Sequence, residues 1–162
     1  MRFEKLKAQF AFVRENDLTT RQNMEAYQAR TEEALNALMK QRTILNVRKK
    51  RRQKLYAALA DAEALAGTRT FREDGVPGME DAIERYGDAV SILKKSGVNR
   101  EALVREKAEL YEEIAAVNRE IRERRNKLAM CAEILSKTPE IEANLQKIET
   151  KRRERRKIRT SR

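Results

Sequence analysis

The chain has no histidine and no tryptophan, a single cysteine, two prolines and five glycines among 162 residues. Each shortage removes a class of explanation. Without histidine there is no imidazole to move protons near neutral pH and no His-containing metal site. One cysteine, Cys131, cannot form an internal disulfide, so a reducing cytoplasm is the expected compartment. Its place on an apolar helical stripe makes it a packing residue rather than a nucleophile. No glycine-rich phosphate loop occurs. No apolar run reaches about 18 residues, so no membrane span is expected. The charged start MRFEKLKAQFAF does not read as a signal peptide. Aromatics, at 5%, are too few for a large globular core. The expectation is a chain that is not an enzyme and takes no cofactor, no metal and no small-molecule substrate.

What is abundant is charge, 39% of the residues, in long stretches with helical periodicity. That composition suits a few long helices sharing narrow apolar seams. Phe3, Leu6, Phe10 and Val13 form one stripe over residues 2–15, ending at the turn residues Asn16 and Asp17. Thr19 or Thr20 then caps a long helix over 20–66. Along it Met24, Tyr27, Thr31, Ala34, Leu38 and Leu45 keep heptad spacing, and Leu55, Leu59, Ala62 and Ala66 continue it in register. Gln41, Arg48 and Arg52 interrupt that seam. Residues 67–78, GTRTFREDGVPG, read as the one clear loop. A helix over 79–95 carries Ile83, Tyr86, Val90 and Leu93 and ends at Ser96-Gly97, where glycine suits a left-handed cap. Asn99 caps the next helix, 99–135. Leu103, Leu110, Val117 and Cys131 share one heptad position there, and Ile114, Ile121, Leu128 and Leu135 the other; Lys107 and Arg124 are polar exceptions. Thr138-Pro139-Glu140 reads as the start of a last helix, 139–158, striped by Ile141, Leu145 and Ile148. The end, KRRERRKIRTSR, has no stripe and is expected to fray.

The expected fold is therefore all-α: an elongated antiparallel helical bundle or coiled coil of about five helices. It forms one helical domain over 1–150, followed by a basic tail, 151–162. Two halves, 1–66 and 79–150, look related about the 67–78 loop. Shifting the first half by 80 residues places Phe10, Val13 and Leu18 on Val90, Leu93 and Val98. With a slip of one, Met24, Thr31, Leu35 and Leu38 fall on Leu103, Leu110, Ile114 and Val117.

Net charge is +11, and it is local. Lys40–Lys54 holds eight basic residues and no acid, and Lys147–Arg162 adds a surplus of seven, leaving the rest of the chain at −4. Five consecutive cations, Arg48–Arg52, cover every face of a helix and repel one another, and phosphates would relieve that repulsion. The expected nucleic-acid contacts are Arg42, Arg48, Lys49, Lys50, Arg51, Arg52 and Lys54, with Arg152, Arg153, Arg155 and Arg156 of the tail. Arginine suits bidentate phosphate contact. Asn46 and Gln53 nearby have amides of the kind that read base edges, but a single helix is no evidence that they do so. Tyr27, Tyr56, Tyr86 and Tyr111 lie on or beside an apolar stripe and read as packing residues; Tyr56, just past the cluster, is the one with the alternative of facing nucleic acid.

Three segments, FAFVRENDLTT, ERYGDAVSILKKSGVNREAL and NREIRERRNKLAMCAEILSKTPEIEANLQKI, resemble the helical C-terminal region of relaxases from bacterial mobile elements. In that family a charged helical region follows a DNA-nicking domain, and often ends in a pattern like L-R-R-E-V-x-L-C-x-x-I before a break and another helix. Ile121, Leu128, Cys131 and Ile134 sit comparably here, with Thr138-Pro139 at the break. The family's nuclease uses a tyrosine nucleophile and a metal-binding histidine cluster. With no histidine, this chain does not contain that domain, and the resemblance assigns it no catalytic residue. What it implies is a non-enzymatic DNA-binding or scaffolding role in DNA mobilisation. The alternative is a coiled-coil interaction or structural protein whose seams pair with a second copy or another protein, with charge for solubility. A membrane-surface role fits less well, since no broad face rich in Trp or Phe lies opposite the charge.

Overall fold

The computed structural model describes the backbone of residues 2–160; the side chains of residues 2, 71–73, 145, 157, 159 and 160 lie outside the described set. Among the described residues every regular element is an α-helix: α1 (Arg2–Glu15), α2 (Arg21–Ala64), α3 (Thr68–Asp74), α4 (Glu80–Ser96) and α5 (Arg100–Thr160). The chain packs as an all-α helical bundle. Its two compact units are one built from the residues up to Ala37 with those from Ile121 onward, and one spanning Leu38–Glu120.

The turns follow from local chemistry. After α1, Asp17 adopts a left-handed φ of 54°. The Leu18 N–H then donates to Val13 O at 2.9 Å and the Asp17 N–H to Arg14 O at 3.4 Å, a Schellman cap. After α4, Gly97 takes the same conformation at φ 66°, and its N–H donates to Lys94 O at 3.3 Å. Here the remaining link runs through a hydroxyl. Val98 N–H donates to Ser96 Oγ at 3.3 Å, and Ser96 Oγ donates to Leu93 O at 2.6 Å. Thr20 Oγ1 accepts from the Asn23 N–H at 3.1 Å to start α2, and Asn99 Oδ1 accepts from Glu101 and Ala102 to start α5. Asp17 and Gly97 are 80 residues apart and Thr20 and Asn99 are 79 apart. The two helix–turn–helix corners are thus built to one plan, with the slip between cap and turn.

In the first unit, Phe12, Leu18, Met24 and Cys131 form the core, flanked by Val13, Tyr27, Met130, Ile134 and Leu135. The Phe12 and Tyr27 rings meet edge to face at 5.6 Å. Thr31, a seam position, is buried and donates its hydroxyl to Tyr27 O at 2.8 Å. Glu133 accepts from Lys5 at 2.9 Å and Lys137 at 3.1 Å, tying α1 to α5. In the second unit the buried apolar positions are Leu45, Tyr56, Ala58, Leu59 and Ala62 of α2, Ala89 and Leu93 of α4, and Leu103, Leu110 and Val117 of α5; Thr68 of α3 is the one buried polar residue among those described there. Arg85 of α4 pairs with Asp61 of α2 at 2.7 Å.

Several expectations are corrected. The face of α1 that packs holds Gln9, Phe12 and Val13, while Phe3, Leu6 and Phe10 are 76%, 53% and 74% exposed. Periodicity located a stripe, but the Phe12–Tyr27 contact and the Gln9–Lys137 hydrogen bond set which side turns inward. The loop at 67–78 contains the helix α3; its glycines, at 67, 75 and 78, all lie outside that helix. No break occurs at Pro139, which lies inside α5, and Thr138 donates back to Ile134 O at 3.1 Å instead of capping a new helix. Propagating an existing helix through one lost hydrogen bond is easier than nucleating another. The basic end is helical as far as Thr160, as the last part of α5. Of the stripe expected beyond the proline, Ile141 and Ile148 are exposed, and the Leu145 side chain lies outside the described residues. Ala66 falls just past the end of α2 and is exposed.

Candidate nucleic-acid interface

Five successive cations on one helix cannot share an environment, and the fold sorts them. Helix α2 runs unbroken through Arg48–Arg52. Arg48, Lys50, Arg51 and Lys54 are exposed, whereas Arg42, Lys49 and Arg52 are half-buried. Arg52 is committed to the protein: its Nε lies 3.0 Å from Glu106 Oε1 and its Nη2 3.2 Å from Oε2, a two-pronged pair with α5. An arginine therefore occupies a seam position without being stranded there. Lys49 lies over the Tyr111 ring, with Nζ 4.4 Å from its centroid.

Tyr56 is not the exposed aromatic of this region. It is 4% exposed, and its hydroxyl donates to Glu106 Oε1 at 2.9 Å. Burial first, then the hydrogen bond to the Glu106 carboxylate, pushes its phenol up to about 12. The accessible ring is Tyr111, one residue past the seam residue Leu110 and 43% exposed. The two rings meet at 6.4 Å with an interplanar angle of 62°.

Between α2 and α5 of the Leu38–Glu120 unit lies an open cleft of about 420 Å³. Helix α2 contributes Asn46, Lys49, Lys50, Gln53, Tyr56, Ala57 and Ala60, and α5 contributes Lys107 and Tyr111. A second depression shares Asn46 and Lys50 and extends along the same seam to Arg42, Thr43, Val47 and Asn118. No lining residue of either is acidic, and four are cationic: Arg42, Lys49, Lys50 and Lys107. Alternating helix surfaces elsewhere carry exposed ion pairs such as Arg119–Glu112 at 2.9 Å and Arg21–Glu25 at 3.0 Å, each worth little. The groove thus lacks the acidic partners that balance those cations.

Of the residues expected to contact nucleic acid, the structure brings Arg42, Lys49 and Lys50 to the groove and leaves Arg48, Arg51 and Lys54 exposed on the same helix. Arg152, Arg153, Arg155 and Arg156 are exposed on the last turns of α5, in the other unit. Lys107, Tyr111 and Asn118 were not foreseen. Lys107 read as a seam exception and Tyr111 as packing, because their significance depends on which part of α2 they face. Pairing the seams antiparallel, with position 52 opposite 106, would have found them.

Among the described residues no three His, Cys, Asp or Glu side chains are grouped to hold a metal ion, and no helix is long and apolar enough to cross a membrane. The Cys131 thiol is fully buried, and burial raises its pKa. No protein-family model, curated protein or solved structure matches the chain.

Proposed function

We propose that the protein binds nucleic acid without acting on it chemically, using the α2/α5 groove and the exposed cations beside it. The observation that carries this reading is the acid-free lining of the groove, with Arg42, Lys49, Lys50 and Lys107 along it. Arg48, Arg51 and Lys54 stand exposed on the same helix. A polyanion offsets the mutual repulsion of such a cluster and releases its own counterions on binding. The resemblance to relaxase tails makes DNA the favoured polymer and DNA mobilisation, in the cytoplasm, the favoured setting. There the chain is an accessory that grips DNA beside a separate nicking activity.

The test is a titration of labelled duplex at two or more salt concentrations. The wild-type chain binds at low salt and weakens steeply as salt rises. Changing Arg48, Lys50, Arg51 and Lys54 to Gln, which spares the Arg52–Glu106 pair, weakens binding and lowers the salt slope by roughly 3–4. No binding at low salt, or an unchanged slope in the variant, overturns the reading.

A second reading, self-association, is favoured by one observation. In the second unit α3 packs beside α4, and Thr68 and Arg69 share a shallow cleft with the half-buried Ile83, Tyr86 and Val90. The positions 80 residues earlier are Phe3, Leu6 and Phe10 of α1, which no helix covers. Lys7, Arg14 and Glu15 lie on the same patch, so it carries both signs, which a two-fold contact between identical copies can pair. Light scattering decides it: a concentration-dependent dimer that Phe3→Ser and Phe10→Ser abolish supports this reading, and a monomer at all concentrations removes it.

A further inference from the structure

We infer that the groove captures an unpaired nucleobase on Tyr111, so that single-stranded nucleic acid is its preferred ligand. This rests on the nucleic-acid reading above and names the form of polymer that the site selects. Tyr111 has what a stacking platform needs. Its ring is 43% exposed inside an open cleft, and the buried Tyr56 ring fixes it from one side at 6.4 Å. Tyr56 is in turn pinned by Glu106, so the platform is backed by a braced residue rather than a mobile one.

The ring face is already occupied, by a group that a base can replace. Lys49 Nζ sits 4.4 Å from the centroid. A half-buried cation–π contact is comparable to base–aromatic stacking, and the lysine stem is long enough to swing its ammonium to a phosphate. Exchange of the ammonium for a base therefore gains the stack and a phosphate contact together. Lys50 and Lys107 lie beside the same cleft for the flanking phosphates, and the Gln53 amide offers both a donor and an acceptor to a base edge. Ala57 and Ala60 keep the α2 wall low, which leaves room for a planar group. In an intact duplex the bases are stacked and their faces hidden, so only an unpaired base reaches the ring. DNA and RNA share this chemistry.

The test uses the full chain and short oligonucleotides carrying 2-aminopurine, whose fluorescence falls on stacking, as a deoxyribose strand, a ribose strand and a deoxyribose duplex. The expected result is tighter binding of the single strands than of the duplex at equal salt, with quenching that the duplex does not show. Tyr111→Phe keeps both. Tyr111→Ala loses the quenching and weakens single-strand binding roughly tenfold, well beyond any effect on duplex binding. Ala57→Leu, which fills the cleft and leaves the ring in place, has the same effect and guards against a folding defect in the alanine variant. Deoxyribose and ribose strands that behave alike point to recognition by base and phosphate alone, while a preference for one adds sugar recognition at the same stack. If Tyr111→Ala and Ala57→Leu both retain quenching and affinity, the stacking inference is overturned while duplex binding keeps the polyanion reading. If no nucleic acid binds at low salt, both fall.

Discussion

Tyr56 donates its hydroxyl to Glu106 across 2.9 Å, on the same carboxylate that Arg52 grips from the side. The contact joins α2 to α5 just where cations break the apolar seam. Tyr56→Phe leaves the ring in place and removes a hydrogen bond to a charged acceptor, so it should cost about 1.5 kcal/mol, read from the denaturation midpoint. The pH dependence has a definite sign. Because the folded state raises this phenol from 10.0 to about 12, its stabilisation is complete below pH 10 and is lost as pH rises through about 12. Ultraviolet absorbance should show a late-titrating tyrosine that is absent in Tyr56→Phe.

Glu133 behaves in the opposite sense. Hydrogen bonds from Lys5 and then Lys137 hold its carboxyl below the usual range. Its contribution is present above the ordinary carboxylate pKa and disappears as pH falls through the lowered value. Amide exchange in α1 should quicken selectively in acid, and Glu133→Gln should remove most of that pH dependence.

Cys131 should be inert while the chain is folded. It is fully buried, and burial raises its pKa, so little thiolate is present to react. Alkylation should follow unfolding, with a rate that rises with denaturant. Cys131→Ser places a hydroxyl in the same apolar setting and should cost roughly 1–3 kcal/mol by thermal melting.

The two corners should respond differently to one change. Gly97→Ala forces a Cβ into a left-handed conformation and should cost about 1 kcal/mol. Asp17→Gly removes the same strain from the other corner and should be neutral or stabilising by a few tenths of a kcal/mol. Chemical denaturation of the two single variants checks both signs.

Pro139 withholds one hydrogen bond from α5 and lies on its exposed surface. Pro139→Ala should restore the bond to the Leu135 carbonyl and slow amide exchange across the following turn, with a gain of up to about 3 kcal/mol for that helix.

The sequence carried much of this fold because heptad spacing is a one-dimensional signal. Leu103, Leu110, Val117 and Cys131, expected on one position, are all buried, and the caps at Thr20, Gly97 and Asn99 form as expected. What escaped depends on two chains of residues meeting. Whether Phe10 or Phe12 turns inward is decided by Tyr27 and Lys137, distant in sequence. Tyr56 packs as expected while Tyr111, also read as a packing residue, is exposed, because Glu106 and the α2 seam claim only the first. The helix at Thr68–Asp74 was hidden by the glycines around it, which gave the whole segment a loop-like composition.

The order of the units along the chain also bears on how the protein is made. Leu38–Glu120 is one continuous piece, whereas the other unit takes residues from both sides of it. On the ribosome, Phe12, Leu18 and Met24 emerge long before Cys131, Ile134 and Leu135 arrive to cover them. At ordinary translation speeds that delay is on the order of ten seconds. The inserted unit can fold during that time, while the first hairpin waits with its apolar side open. Chaperone dependence during synthesis should therefore track the length of this delay, and should fall when residues 121–162 are supplied to the hairpin from a separate chain.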